Sequence, residues 1–444
     1  MFNYQSIIDA LQSLTVYRNI LADPAVRAYL DHLSALAGTA STAHPAYTYG
    51  KVHHLLAATV NPMQTADAWQ NHLLDLILDD VNPFSRAAFT PGGDYAAHLP
   101  AAQRDLRILQ LAAQTNARQV LEDTVAELPN HPLLPDHLEQ LPLWAASRPA
   151  GGAAAGHMTR RLQMKETIFA APQWDKLAER LAAHYAEAGC GIFGRFIAFK
   201  WQNGSLHGVE HPDPVALSDL IGYEDVREQV IRNTLQFLQG YPANNMLLYG
   251  DRGTGKSSTV KALLNEFWPR GLRLVEVPKQ ELANFPAIAG HLRRLRHRFI
   301  LFVDDLSFEE NETDYKFLKA LLEGGLEPRP ANVLIYATSN RRHLVKETFA
   351  DRQAQEVRSM DTLQEKLSLA DRFGITVIFP TPDQQLFLKI VAGLAQKRNL
   401  PLKPEQLRQR ALQWSAWHNG RSPRAARQLV DQLEGELAMA RSGG

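Results

Sequence analysis

NMLLYGDRGTGKSS, residues Asn245–Ser258, is the stretch that decides the fold. An apolar run, Met246-Leu247-Leu248-Tyr249, leads into a glycine-rich turn that ends in Lys256-Ser257. Gly250, Gly255, Lys256 and Ser257 fall at the fixed places of the pattern G-x-x-x-x-G-K-[ST]. The spacing has a physical reason. A buried strand ends at Tyr249, and glycines let the backbone close around phosphate oxygens where a Cβ would collide. Successive N–H groups then point inward as an anion nest. A helix starting near Lys256 adds unpaired N–H groups and the positive end of its dipole. Lys256 reaches the β- and γ-phosphates, and Ser257 offers a hydroxyl to Mg2+. Asp251, Arg252, Gly253 and Thr254 inside the loop, and Ser258 after it, complete the candidate nucleotide-binding set. A tight strand–helix turn with no ligand gives no reason for Lys and Ser after the last glycine.

Working outward, Val260, Leu263, Leu264 and Phe267 recur at spacings of three and four, which predicts the helix after the loop. Phe299–Asp305, FILFVDD, is an apolar strand ending in two carboxylates. Asp304 is placed to hold Mg2+ opposite Ser257, and Asp305 to orient or polarise an attacking water. The alternative is a pair of strand-end acids that cap the next helix. Val333–Asn340, VLIYATSN, is a second apolar strand, and Asn340 at its tip can hydrogen-bond the water or the γ-phosphate. All these groups sit at C-terminal strand ends, where open α/β sheets bind ligands.

The remaining apolar runs, Leu272–Val277 and Thr376–Phe379, alternate with helical or loop segments, which argues for a parallel sheet covered on both faces. The tail reads as three helices, about 383–398, 404–418 and 423–439, separated by Pro401, Pro404 and Asn419-Gly420. Upstream, Glu224–Leu238 reads as a helix. Arg195–Trp201 alternates as a strand, with a hairpin signal at Asn203-Gly204 and a returning strand at Leu206–Glu210. That hairpin is either a docking element or a small packed one. Residues 1–147 read as mostly helix, with helical spacing in Ile7–Tyr29, His72–Val81 and Leu106–Leu128. No clustered metal-ligand set is evident there; His53, His54, His131 and His137 lack suitably spaced partners. The expected domains are a mostly helical N-terminal domain at 1–150; a linker, helix and β-hairpin at 151–213; a P-loop core at 214–382; and a helical lid at 383–444.

With 444 residues, 45% of them hydrophobic and 21% charged, the chain has an ordinary soluble composition. A single cysteine, Cys190, excludes a disulfide framework and a cysteine-based zinc site. No apolar run approaches the ~18 residues of a membrane span. The first residues lack a basic segment and a continuous apolar segment, so no signal peptide is read and the expectation is cytoplasmic. Residues 1–150 hold 8 Lys/Arg against 14 Asp/Glu, a net of −6, and the rest of this neutral chain carries +6. That polarity is too mild to announce nucleic-acid binding.

Taken in order, GDRGTGKS, FVDD, ATSN, LADRFG and GRSPR resemble the AAA+ ATPase superfamily, as Walker A, Walker B, sensor 1, the arginine-finger segment and sensor 2. The segments LLYGDRGTGKSS, the stretch from Asp304 to Val345 and EKLSLADRFG resemble more closely a bacterial family, domain of unknown function 815, of predicted AAA+ ATPases. The resemblance covers about residues 160–440. It implies an α/β P-loop core with a five-stranded parallel sheet in the order 5-1-4-3-2, a C-terminal helical lid, and ATP with Mg2+. By position it implies that Arg372 is an arginine finger acting on the γ-phosphate of the next subunit, hence a homo-oligomer, possible as a ring. It likewise implies that Arg424 is sensor 2 and that Leu220, Ile221 and Gly222 pack on adenine. Arg341 and Arg342 either contact phosphate across the interface or start a helix. The superfamily's usual second Walker B acid is Glu; here it is Asp305, one methylene shorter, with Glu309 or Glu310 as a candidate helper.

Other P-loop relatives are excluded. No N-K-x-D segment for guanine recognition follows a strand, and no L-S-G-G-Q-type transporter signature is present. The basic run HLRRLRHR (His291–Arg298) reads as a solvated helix face rather than a nucleic-acid patch, because base-stacking aromatics are not interleaved with it. Leu306–Gly325 is a candidate contact loop. A protein client is therefore favoured over nucleic acid. The expected activity is ATP hydrolysis that drives remodelling or loading of a macromolecule, with a slow ATP-dependent switch or a DNA-associated loader as alternatives.

Overall fold

Residues 1–196 form one unit and residues 197–444 a second in the computed structural model, which describes residues 3–38, 44–58, 67–115, 117–127, 143–144, 156–307, 318, 322, 329–340, 371–417 and 420–442. The first unit is helical: α1 (Tyr4–Gln12), α2 (Pro24–Leu36), α3 (Pro45–Ala58), α4 (Ala68–Asp79), α5 (Pro83–Phe89), α6 (Leu99–Gln114), α7 (Ala117–Ala126), α8 (Gly156–Ala170), α9 (Ala178–Ala188) and α10 (Ile192–Arg195). The helical spacing of Ile7–Tyr29 is interrupted for a chemical reason. The buried Asp105 carboxylate accepts the N–H groups of Thr15, Val16 and Tyr17 at 2.9, 2.7 and 3.1 Å, which turns the chain away from helix. Asp23 then caps α2, with Pro24 at its first position, where a missing N–H costs nothing. The core of this unit includes stacked aromatic pairs, Tyr29 on Trp69 at 3.8 Å and Tyr49 on Trp144 at 5.1 Å.

The second unit holds β1 (Ala198–Gln202), β2 (Ser205–Gly208), α11 (Glu224–Leu238), β3 (Met246–Gly250), α12 (Lys256–Phe267), β4 (Leu272–Glu276), α13 (Phe285–Leu292), β5 (Arg298–Val303), β6 (Val333–Ser339), β7 (Ile375–Phe379), α14 (Gln384–Lys397), α15 (Pro404–Trp417) and α16 (Pro423–Ser442). One sheet carries all seven strands in the order β2-β1-β4-β5-β6-β3-β7. The five expected parallel strands are present as β7-β3-β6-β5-β4, which is the order 5-1-4-3-2, but the expected count of five is corrected to seven. The hairpin turns at Asn203-Gly204, both at positive φ, as a two-residue hairpin turn demands. It then docks β1 in parallel beside β4. Four of the five residues of β4 are buried, so without β1 an apolar strand would present an open edge to solvent.

Burial sorts the strands. All seven residues of β6 are buried, as a strand flanked by β5 and β3 and covered on both faces requires. β7 at the edge alternates, leaving Ile378 exposed. The Tyr336 hydroxyl of β6 meets Asn233 at 3.0 Å and Thr234 at 2.9 Å on α11, tying that helix to the sheet at a buried polar point. Among the described residues, no helix is long and apolar enough to cross a membrane.

In the first unit, His32 is fully buried between Thr48 (2.9 Å) and Thr124 (3.1 Å). Burial pushes its imidazole down from 6.5 to about 4. The sign follows. The unfolded chain takes up the proton first as pH falls, so this contribution is complete above pH 6.5 and is lost as pH falls from 6.5 toward 4, by at most about 3 kcal/mol. Hydrogen-exchange protection of α2 and α7 is therefore expected to fall more steeply between pH 7 and 5 in the native chain than in His32→Gln. Equal slopes would contradict this account of His32.

Candidate active site

The site is built on the tips of β3, β5 and β6. β3 ends at Gly250 with φ 149°, where an added Cβ would lie 2.0 Å from the Phe379 carbonyl oxygen of neighbouring β7. The loop then bends through Gly253 and Gly255 at φ 78° and 96° into α12. Lys256, at the first position of α12, folds its side chain back over the loop. Its ammonium donates to the carbonyls of Gly250 (2.7 Å) and Asp251 (2.8 Å) and to Asn340 Oδ1 (3.0 Å). Burial lowers the Lys256 pKa, opposed by the nearby charges of Asp251, Asp304 and Asp305 and reinforced by Arg424. Thr254 Oγ1 donates to the Asp251 carbonyl at 2.9 Å, and Thr381 Oγ1 to the Asp251 carboxylate, which fixes the loop's first half.

Both strand-end acids lie at the mouth of this loop. Ser257 Oγ donates to Asp304 Oδ1 at 2.6 Å, and Thr338 Oγ1 donates to the same oxygen at 2.5 Å. Asn340 bridges lysine and acid. Its Oδ1 accepts from Lys256, and its Nδ2 donates to Asp305 Oδ1 at 2.5 Å. Asp305 itself has a left-handed backbone, φ 53°, held by its N–H donating to Thr338 Oγ1 at 3.0 Å. Thr338 was not read from the sequence. Its signal was the two-residue spacing from Asn340, just past the end of β6, which in extended chain places both on one face.

The three C-terminal helices reach the site through α16. The Arg424 N–H donates to the Gly253 carbonyl at 3.2 Å, and an added Cβ at Gly253 would lie 3.0 Å from Arg424 Cβ, so glycine allows this approach. A cleft of about 500 Å3 results, lined by Arg252, Lys256, Ser257, Asp304, Asp305, Asn340 and Arg424, together with Gly253, Gly255 and Ser258. Arg427, one turn beyond Arg424, lines it too and was also unread, although a three-residue spacing on a helix puts the two on one face. A second, narrower cavity joins the cleft and is lined by Leu220, Ile221, Tyr223, Thr254 and Ile390. Gly222 lies behind it, where a Cβ would meet Leu386 and Ile390. Arg227 shapes this corner by donating to the Leu220 carbonyl at 2.6 Å and to the Gly222 carbonyl.

Arg372 is not brought into this cleft. It precedes β7, whose Ile375 pairs with Met246, the residue of β3 farthest from the loop. The length of a strand, on the order of 13 Å, separates that end from Gly250. In the basic run, His297 is buried 3.0 Å from Arg273, while Arg298 donates to the Ala331 carbonyl and stacks on Phe237. Arg293, Arg294 and Arg296 are exposed. Glu309, Glu310, Arg341, Arg342 and most of Leu306–Gly325 lie outside the described residues.

The family described as "Protein of unknown function (DUF815)" matches residues 194–437, more than half of the chain. The chain belongs to the DUF815 family. The match spans the DUF815 protein's hairpin, sheet and C-terminal helices and leaves its helical first unit almost entirely outside. No curated protein matches the chain. Among solved structures, the RuvB Holliday junction branch migration motor of Thermotoga maritima is similar at 17% identity, over 51% of this chain and 67% of that one, with a TM-score of 0.36. Two variants of that motor align at 18% and 16% identity, over 51% of this chain and 67% and 68% of theirs, with the same TM-score.

Thr338 carries a direct expectation. Thr338→Val, of equal shape, removes the acceptor of the Asp305 N–H and a donor to Asp304, and is expected to cost about 1–2 kcal/mol, with Thr338→Ser costing less. Hydrogen exchange of β5 and β6 amides reads this. A valine variant as stable as the native chain would remove the hydroxyl from the network.

Proposed function

We propose that this protein is an AAA+-type ATPase that binds and hydrolyses ATP with Mg2+ as an oligomer and uses the cycle to remodel or load a macromolecular partner. The observation that carries the reading is the charge around the cleft. Arg252, Arg424 and Arg427 line it with no side-chain hydrogen bond or ion pair among the described residues, beside the ammonium of Lys256. Unpaired cations that converge over a nest of backbone N–H groups suit a polyphosphate.

The metal fits as well. Ser257 Oγ and Asp304 Oδ1 are hard oxygen donors held 2.6 Å apart, and an ion of this kind takes few protein ligands and completes its shell with water and phosphate oxygens. Ser257 and Asp304 would hold Mg2+, which neutralises charge on the transferring phosphate. The chain's own groups do the rest. Asn340 holds one oxygen of Asp305, leaving the other to orient and polarise the attacking water. Lys256 exchanges loop carbonyls for phosphate oxygens when ATP enters. Arg424 supplies a guanidinium from the lid. Arg372, at the far end of the sheet from its own loop, acts on the γ-phosphate of the next subunit.

A second reading, a slow ATP-dependent switch, draws support from Asp305. One of its oxygens is engaged by Asn340 and its backbone sits at φ 53°. Steady-state turnover at saturating ATP separates the two, because fast basal turnover is incompatible with the switch. A protein client is favoured over nucleic acid, since His297 and Arg298 of the basic run serve the interior.

Lys256→Ala is expected to abolish ATP binding, measured by titration with a fluorescent ATP analogue. Arg372→Ala is expected to keep ATP affinity within about threefold while lowering phosphate release by about a thousandfold. Unchanged turnover in Arg372→Ala would sink the shared-site assignment.

A further inference from the structure

Arg427 lines both cavities. Leu220, Gly255 and Pro423 share that property, and of these four Arg427 alone has a charged side chain. The four therefore mark the seam between the phosphate cleft and the corner around Ile221. Arg427 is exposed, and its guanidinium makes no hydrogen bond or ion pair among the described residues. An acid that feels its charge, Asp219, is already satisfied. Asp219 gives one oxygen to Lys397 at 2.9 Å and the other to the Ala216 N–H at 2.9 Å, and these partners, with Arg427's charge nearby, hold its carboxyl below the usual range. A structural role for Arg427 as the partner of Asp219 is thus already filled.

A nucleotide laid with its β- and γ-phosphates in the loop and its base toward Ile221 must place its ribose and α-phosphate at this seam. We propose that Arg427 is a nucleotide-binding residue that contacts the α-phosphate, so that the lid holds ADP as well as ATP. Arg424, one turn earlier and against Gly253, discriminates the γ-phosphate instead. This assignment rests on the reading of the cleft as an ATP site. It predicts a division of labour along a single helix face. Arg427 sets affinity for any adenine nucleotide with an α-phosphate, and Arg424 sets the difference between triphosphate and diphosphate.

The test uses the full chain and titrates Mg2+-ATP, Mg2+-ADP and AMP against the native protein, Arg427→Ala, Arg427→Lys and Arg424→Ala. Arg427→Ala is expected to weaken ATP and ADP by the same factor, about tenfold, with Arg427→Lys recovering part of it. AMP binding, where measurable, falls as well. Arg424→Ala is expected to weaken ATP more than ADP. Unchanged affinities in Arg427→Ala would overturn the proposal and leave a solvated arginine. A loss confined to ATP would overturn it by moving Arg427 to the γ-phosphate. A native chain that binds none of the three nucleotides would instead overturn the ATP-site reading, and this inference with it.

Discussion

Lys256 Nζ lies 2.7 and 2.8 Å from two carbonyls of its own loop and 3.0 Å from Asn340 Oδ1, three acceptors for three protons. The ammonium of a lysine that is 6% exposed must be surrounded in this way, because an unpaired buried charge is expensive. The requirement propagates. Two acceptors come from the turn that Gly250 makes possible, so the loop must keep that turn. The third comes from β6, so β6 must lie beside β3 although β4 and β5 come between them in sequence. Asn340 then passes the constraint to Asp305, and Thr338 passes it to Asp304 and Ser257. The acids, the amide and the lysine form one hydrogen-bonded chain across three strand tips.

The same chain suits the proposed anion. The acceptors that Lys256 uses are carbonyls, which a phosphate oxygen can replace. Among the described residues, the side chains of Arg424 and Arg427 have no such partners. Burial lowers the Lys256 pKa, and a phosphate oxygen beside the desolvated ammonium would favour its charged form. Asp305 fits the same logic less comfortably. Its backbone is left-handed, a strained position for a side chain, and Asn340 already engages one of its oxygens.

Much of the second unit was legible because its signals are local. Apolar runs alternating with helical or loop segments marked the five parallel strands, and Glu224–Leu238 was read as a helix. The seventh-strand count was not. Nothing in Phe199 or Trp201 says which sheet edge a hairpin will cover, since that depends on β4 needing a neighbour. In the first unit the helical spacing of Ile7–Tyr29 hid a break imposed by Asp105, nearly ninety positions away in sequence. Within the site, Lys256, Ser257, Asp304 and Asn340 follow from motif chemistry. Thr338 and Arg427 do not, because a hydroxyl and an arginine are common and acquire meaning only from what they face. Arg372 was readable only through resemblance, and it lies toward the end of β7 away from the loop.

The central claim is that this cleft hydrolyses ATP with Asp305 orienting the water. The most direct measurement is phosphate release from Mg2+-ATP by the full chain, native against Asp305→Asn, with ATP affinity measured in parallel. The account predicts that Asp305→Asn binds ATP within a few-fold of the native affinity and releases no phosphate above background. Equal phosphate release from the two proteins would contradict it.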